Sequence, residues 1–422
     1  MLITIIIFVV VLSLMVFVHE LGHFTMARKF KVRVDEFGLG LPPRMLGLRW
    51  NKQERLEKIA EKEEITVSVS ETESVITDKI QEVDQLVETK KREWIWGNKK
   101  NSGEGGGTIY SLNWIPVGGF VTMVGENGGN ANNPESFSSK KIWQRAVILV
   151  AGVTMNMILC MILLSLGFFI GMPQVVGPET KGNVTETKIQ VLEVVKDLPA
   201  AQYVIQAGDA LVSIDNQSYK IIDDLRSYFA VRKDQSVAIK IKRNNEELEK
   251  QVLVKEFEGN VGIGVGLAEV AIVKYPFFLA IYEGVKTTFV WIGLIVAAFA
   301  TVLKNLIVGD PIGAEVAGPV GIAVLTGQAA RMGLVYLLQF TALLSLNLAI
   351  INIIPFPALD GGRLLFLLIE KIRGKVMDQR WENTANNVGF MLLMHLIILV
   401  TFKDVWKYGG ALVNVFRGMV GI

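Results

Sequence analysis

His19 and His23 stand four residues apart in the run Val18-His19-Glu20-Leu21-Gly22-His23. On a helix, positions i and i+4 share one face, so two imidazoles at this spacing reach a single zinc ion. Glu20 lies between them, where it can act as general base toward a water made acidic by the metal. The same residues could simply finish a helix near the membrane interface, but an ionisable cluster in an apolar helix is costly and usually functional. The chain has three histidines and one cysteine, Cys160, which excludes an internal disulfide and a cysteine metal cluster. A catalytic zinc needs a third protein ligand and an open fourth position. No further histidine extends the motif, so the third ligand must come from an acid or from His395 in another apolar block. Asp360 stands out, in Asn352-Ile353-Ile354-Pro355-Phe356-Pro357-Ala358-Leu359-Asp360-Gly361-Gly362-Arg363. The two prolines break a helix there and present Asp360 on irregular backbone. Asp360 is also a good N-cap for a following helix, and both roles can hold at once. His395 reads as a lone polar residue of a short apolar block.

The elements that must position these residues are apolar. Of 422 residues, 51% are hydrophobic and 20% charged, with a mean hydropathy of +0.40. That charge content is low for a soluble domain and incompatible with disorder as the main state. A net charge of +2 excludes a broadly basic nucleic-acid binder. Residues 1–18, 146–171 and 335–354 are apolar blocks, and 388–402 is a shorter one. Roughly 20 apolar residues cross a bilayer. The first block lacks a basic start and a small-residue cleavage site, so it reads as a retained helix rather than a signal peptide. Lys and Arg mark cytoplasmic flanks. Arg28, Lys29, Lys31 and Arg33 follow the first block; Lys140, Lys141 and Arg145 precede the second; Arg363, Lys371 and Arg373 follow the third. The expected topology is therefore N-terminus outside, with four crossings and the segment between the second and third outside. Residues 289–308 are also apolar. A crossing there would reverse the third helix, so this block is expected to lie at the membrane surface or to pack against the helix bundle.

Between the spans, 51–107 is a charged cytoplasmic insertion. Its stretches 54–64 and 78–91 have helix-forming composition, and 103–107 reads as a flexible linker. Residues 109–126 mix apolar and small residues around Pro116, Gly118 and Gly119, which suggests a bent strand or hairpin. Residues 175–267 have a soluble composition. Short β-branched runs at 188–195, 210–214, 236–241 and 249–255 alternate with turn signals such as 207–209 and 243–245, and 222–229 suits a helix. This is a compact α+β or mostly-β module outside the membrane.

At its two motifs the chain resembles the site-2 protease family of intramembrane zinc metalloproteases, in particular the bacterial regulator-of-sigma-E protease branch. The stretches Phe37-Gly38-Leu39-Gly40, Trp114-Ile115-Pro116-Val117-Gly118-Gly119-Phe120 and Gly318-Pro319-Val320-Gly321-Ile322 extend the likeness over nearly the whole chain outside 51–107. The resemblance implies zinc held by His19, His23 and Asp360, Glu20 activating water, and Asn352 helping to hold an extended substrate. It implies a polytopic α-helical membrane protein of about four transmembrane helices, with a membrane-reentrant β-hairpin and an inserted PDZ domain. It implies cleavage, within regulated intramembrane proteolysis, of single-span membrane proteins such as pre-trimmed anti-sigma factors and remnant signal peptides. The setting implied is the bacterial cytoplasmic membrane, with the PDZ domain outside and the site near the cytoplasmic side. The expected divisions are 1–50, first helix and start of the reentrant region; 51–107, insertion; and 108–174, hairpin and second helix. Then follow 175–268, the PDZ domain; 269–334, the interfacial region; and 335–422, the last two spans. The chain departs from the family in carrying Ala151-Gly152-Val153 where proline usually follows the glycine, and in the insertion. The strand edge of the hairpin, with Gly118 and Gly119 permitting close backbone approach, suits pairing with an unwound substrate. A non-catalytic PDZ scaffold is the first alternative; the intact Glu20 argues against it. A zinc transporter is the second, and no internal repeat supports it.

Overall fold

The computed structural model describes residues 2–62, 80–97, 107–126, 128, 132–177, 180, 182–195, 198–206, 208–243, 246–257, 259–309 and 317–420, with side chains outside 2, 50–62, 80–92 and 407–420. In chain order the main elements are α1 (Leu2–Lys29), β1 (Val34–Lys62), β2 (Ile80–Trp96), β3 (Ile109–Met123), α2 (Ile142–Ile170), β4 (Met172–Val175), β5 (Asn183–Val194), α3 (Pro199–Gln202), β6 (Ala210–Ile214) and α4 (Ile222–Ala230). There follow β7 (Ser236–Arg243), β8 (Glu246–Leu253), β9 (Lys255–Phe257), β10 (Asn260–Gly262), β11 (Val265–Lys274), α5 (Phe277–Val308), α6 (Pro319–Met332), α7 (Leu334–Ile353), α8 (Asp360–Arg373) and α9 (Gln379–Val420). Two compact units divide the chain, one of residues Val9–Met155 and Asn352–Leu393, the other of Met1–Phe8, Asn156–Ile351 and Met394–Ile422.

In the first unit, α1 runs unbroken through the His-Glu motif. Its C-terminus closes on Lys31, in the left-handed region at φ 56°, with the Val32 N–H donating to the Ala27 carbonyl at 2.8 Å. Arg28 and Lys29 occupy its last turn, where cations suit the negative end of the helix dipole. One sheet, ordered β2-β1-β3, packs on this helix. Phe37 of β1 stacks on Phe24 of α1 with ring centroids 4.8 Å apart, and Phe17 tilts against it at 5.2 Å. Each of Phe37, Gly38 and Leu39 pairs twice with β3: with Tyr110, Ser111 and Leu112, and with Val121, Phe120 and Gly119. So β3 folds back around Pro116–Gly118, as its sequence suggested, and the Val34–Leu39 limb of β1 is held between its two limbs, while Arg44–Arg49 pairs with the first limb from the other side. The insertion differs from expectation. Residues 54–62 and 80–91 are paired strand rather than helix, in one antiparallel register from Leu46↔Trp96 to Lys62↔Ile80. That register sets Leu56 opposite Leu86, Ile59 opposite Val83 and Lys58 opposite Asp84. A continuous backbone ladder of this length overrides a weak helical preference. The linker expected at 103–107 lies outside the described residues except Gly107.

In the second unit, a six-stranded sheet runs β4-β11-β5-β6-β7-β8. Four of its strands and α4 coincide closely with the runs read from sequence; of the turn signals, 207 and 244–245 lie outside the described residues. The core is made by alternating branched residues, with Ile189, Val191, Leu225, Ile239 and Ile241 fully buried. The sheet extends to β4 and to Lys274 of β11, beyond the expected 175–268. Helices α2, α5 and α7 pack around Cys160, Leu164, Ala280, Ala342 and Leu346. A Cβ at Gly284 of α5 would lie 2.7 Å from the Ser165 backbone nitrogen, a contact only small residues allow. Asp404 of α9 is buried and accepts the Gly321 N–H at 2.7 Å. A Cβ at Gly318 or Gly321 would crowd that carboxylate, at 2.8 and 3.1 Å, which accounts for the glycines of the Gly-Pro-Val-Gly stretch.

Among the described residues, five helices are long and apolar enough to cross a membrane: Ile3–Lys29, Ile142–Ile170, Phe277–Val308, Leu334–Ile353 and Gln379–Trp406. The block 289–308 belongs to the 32-residue α5, so length and composition admit one span more than basic-flank parity. The chain thus carries several helices that could span a membrane.

Candidate active site

His19 and His23 project from one face of α1, with ring centroids 4.8 Å apart and the planes near perpendicular. The loop 354–359 ends the preceding helix at its two prolines, turns through Ala358 at φ 77°, and starts α8 at Asp360. Asp360 Oδ2 thereby lies 3.0 Å from His19 Nε2 and 3.3 Å from His23 Nε2. The two Nε2 atoms are 3.1 Å apart. Both rings are buried and the carboxylate nearly so.

The donor set fits a metal ion. His23 Nδ1 lies 2.8 Å from the Ile148 carbonyl, which only accepts, so Nδ1 carries a proton and Nε2 is the nitrogen left to serve a metal. Three ligand atoms of types that zinc favours converge within 4.8 Å of one another, and zinc in catalytic sites takes three protein ligands of this kind. Helix α2 makes the room. A Cβ at Gly152 would stand 2.5 Å from His23 Nε2 and 2.7 Å from His19 Cε1. One turn of α1 away, a Cβ at Gly22 would meet the Ala151 carbonyl oxygen at 2.3 Å. Glycines on both helices therefore set the distance at which the imidazoles meet their partners. Sequence reasoning did not find the roles of Gly152 and the Ile148 carbonyl. The first was noted only as the glycine before the departure at Val153, with no role assigned, and the second is a backbone atom with no side-chain signal.

The other expected residues fall around this cluster. Glu20 is half-buried on α1. Asn352, near the end of α7, brings its Nδ2 to 3.4 Å from His19 Nε2. Gly118 has φ 77° and lies against Val16. A Cβ at Gly119 would be 3.6 Å from Phe17 Cα and 3.9 Å from Glu20 Cγ, so the β3 backbone runs directly beside the Glu20 side chain. Ser13 holds the turn of β3 to α1 by donating to the Pro116 carbonyl at 2.9 Å. The limb 119–123 pairs with β1 on one side, and among the described residues no strand pairs with its other side. His395 is exposed on α9 and is not one of the clustered ligands.

Comparison with known proteins agrees with this chemistry. The profile of peptidase family M50 matches residues 7–56 and 87–396. A Clostridium perfringens protein named as a candidate zinc metalloprotease is 32% identical over 93% of this chain and 96% of its own. The regulator of sigma-W protease RasP of Bacillus subtilis is 29% identical over 96% of this chain and 98% of its own. Among solved structures, the PDZ domain of a Listeria monocytogenes SdrC-like protein is 28% identical and covers 20% of this chain and 92% of that domain, at a TM-score of 0.19. The internal unmatched stretch, 57–86, falls inside the insertion. The chain belongs to peptidase family M50, the site-2 protease family of zinc metalloproteases.

Proposed function

We propose that the chain hydrolyses peptide bonds within the membrane segments of single-span proteins, with His19, His23 and Asp360 holding zinc and Glu20 as general base. The observation that carries this is the convergence of the two Nε2 atoms and Asp360 Oδ2 on an apolar helix, beside an unshared strand edge. A zinc ion held there supplies Lewis acidity to water and to the scissile carbonyl. Glu20 takes a proton from the attacking water and passes it to the leaving amine nitrogen. A peptide bond in a helix is shielded by its own hydrogen bonds, so the substrate must unwind before it is cut. The limb 119–123 offers its free edge to the unwound strand, Gly118 and Gly119 leave space for that approach, and the Asn352 amide satisfies a freed backbone group.

The same reading gives a bacterial cytoplasmic membrane protein. The hairpin 109–124 reenters the membrane, where such backbone is tolerated only when protein covers it or it lines a wet cavity. The basic last turn of α1 supports a cytoplasmic side for the site, with the N-terminus and the sheet module outside and α5 at the membrane surface. The sheet module acts as a PDZ domain that admits pre-cleaved substrates, among them anti-sigma factors and remnant signal peptides. Purified chain and a model single-span substrate test the proposal. Glu20→Gln is expected to slow cleavage roughly 10²- to 10⁴-fold with zinc still bound. Equal cleavage by that variant sinks the mechanism.

A further inference from the structure

Helix α8 starts at a proposed metal ligand, so whatever orients α8 also aims that ligand. Asp360, Arg363, Leu367 and Glu370 recur at helical spacing and share one stripe of α8. Two of them make ion pairs to other elements. Arg363 Nη1 donates to Glu126 Oε1, in the turn that ends β3. Glu370 Oε1 accepts from Arg145 Nη2 at 2.5 Å, in the first turn of α2. Both pairs are largely shielded: the side chains of Arg145 and Glu370 are 12% and 10% exposed, those of Arg363 and Glu126 28% and 21%. Glu126 is itself held, its Oε2 accepting the Met123 N–H at 3.4 Å. Glu382 of α9 adds a carboxylate within electrostatic reach of both arginines.

The two ties are seven residues apart, about 10 Å along a helix. One tie leaves a helix free to swivel about it; two fix its rotation and its slide. They bind α8 to the same two elements that line the cluster: β3, whose Gly119 lies beside Glu20, and α2, whose Gly152 lies against both imidazoles. We infer that Glu126–Arg363 and Arg145–Glu370 form a two-point clamp that positions Asp360 for the metal, and that all four are positioning residues of the site. This inference rests on the proposed metal site.

The test uses the full chain in detergent and reads zinc affinity by chelator competition. Glu126→Gln and Arg363→Gln are each expected to weaken zinc binding roughly tenfold to a hundredfold, the range for groups that orient ligands. The double variant is expected to lose no more than the worse single, because each single already breaks the tie. Arg363→Lys keeps the charge without the planar fork and is expected to lose less than Arg363→Gln; it stands in should the latter fail to yield folded protein. Parental zinc affinity in the Arg363 variants, or single losses that multiply in the double, overturns the clamp. Asp360→Asn separates the two readings. If it loses zinc while the clamp variants do not, only the clamp falls; if it too binds zinc normally, the metal site itself falls.

Discussion

Glycine at two turns of the sheet module does work opposite to that of glycine in the helices around the His-Glu motif. In the module, Gly208 and Gly259 have φ of 96° and 78°, and a Cβ there would touch nothing within 4 Å. Those glycines serve turns, and the packing is left to large branched residues such as Ile189, Leu225 and Ile239. At the site the glycines are contact surfaces. Added Cβ atoms at Gly22, Gly152, Gly361 and Gly362 would fall between 2.2 and 2.5 Å from backbone or imidazole atoms. The solvent explains the contrast. A module in water is held by removing apolar side chains from it. Helices long and apolar enough to lie in hydrocarbon would gain nothing that way there and would associate by close approach and polar contacts. Distance between backbones is the variable that builds this site.

Among the changes that test this comparison, Gly152→Ala should therefore have the largest effect. The new methyl group must displace His23 or His19, and displacements near 1 Å can cost about 10²-fold in rate. Zinc affinity is expected to drop with the activity. Gly293→Ala, on α5 where a Cβ meets nothing within 4 Å, is expected to change neither. If both alanines bind zinc equally well, the glycine at the site is not a spacer and the comparison fails.

The same contrast decides how much could be read from sequence. The module was legible because its side chains alternate with strand period. Runs at 210–214 and 222–229 sit almost residue for residue on β6 and α4. The cluster of His19, His23 and Asp360 was legible because such residues are chemically rare in apolar surroundings. What stayed hidden lies in spacing between elements. Nothing in Gly152 or Arg145 announces a partner more than a hundred residues away. The charged insertion misled for another reason. Its Glu, Lys and Arg favour helix locally, and only the register that joins Leu46 to Trp96 and continues outward makes it a strand pair.

Next in size is Leu225→Ala in the module core. Leu225 is fully buried, and such truncations cost about 2–5 kcal/mol through lost transfer energy and the cavity left behind. Hydrogen exchange across 183–274 is expected to accelerate while zinc affinity stays at the parental value. A loss of zinc would show that module packing and site geometry are not separate, and would blur the distinction drawn above.

The smallest effect is electrostatic and confined to the module surface. Tyr228 donates its hydroxyl to Asp215, whose carboxylate also accepts the Ala238 N–H at 2.8 Å. Arg232 lies 3.6 Å above the Tyr228 ring. Partial burial, first, and the Asp215 acceptor, second, push the phenol up to about 12 from 10.0. The Tyr228 hydrogen bond, followed by the Ala238 one, holds Asp215 below its usual 3.8. A phenol with a raised folded pKa adds stability that is complete below its unfolded value and fades as pH climbs from about 10 to about 12. A carboxylate with a lowered pKa adds stability above about 3.9 that fades as pH falls. Between these limits both contributions are intact. Asp215→Asn removes the charged acceptor, so in a difference titration of tyrosinate absorbance one tyrosine should ionise at lower pH than in the parent. The alkaline fading of stability should shift the same way, while zinc affinity stays unchanged. An unmoved titration would mean that burial alone sets the phenol. The module's polar rim would then owe as little to paired charge as its core does.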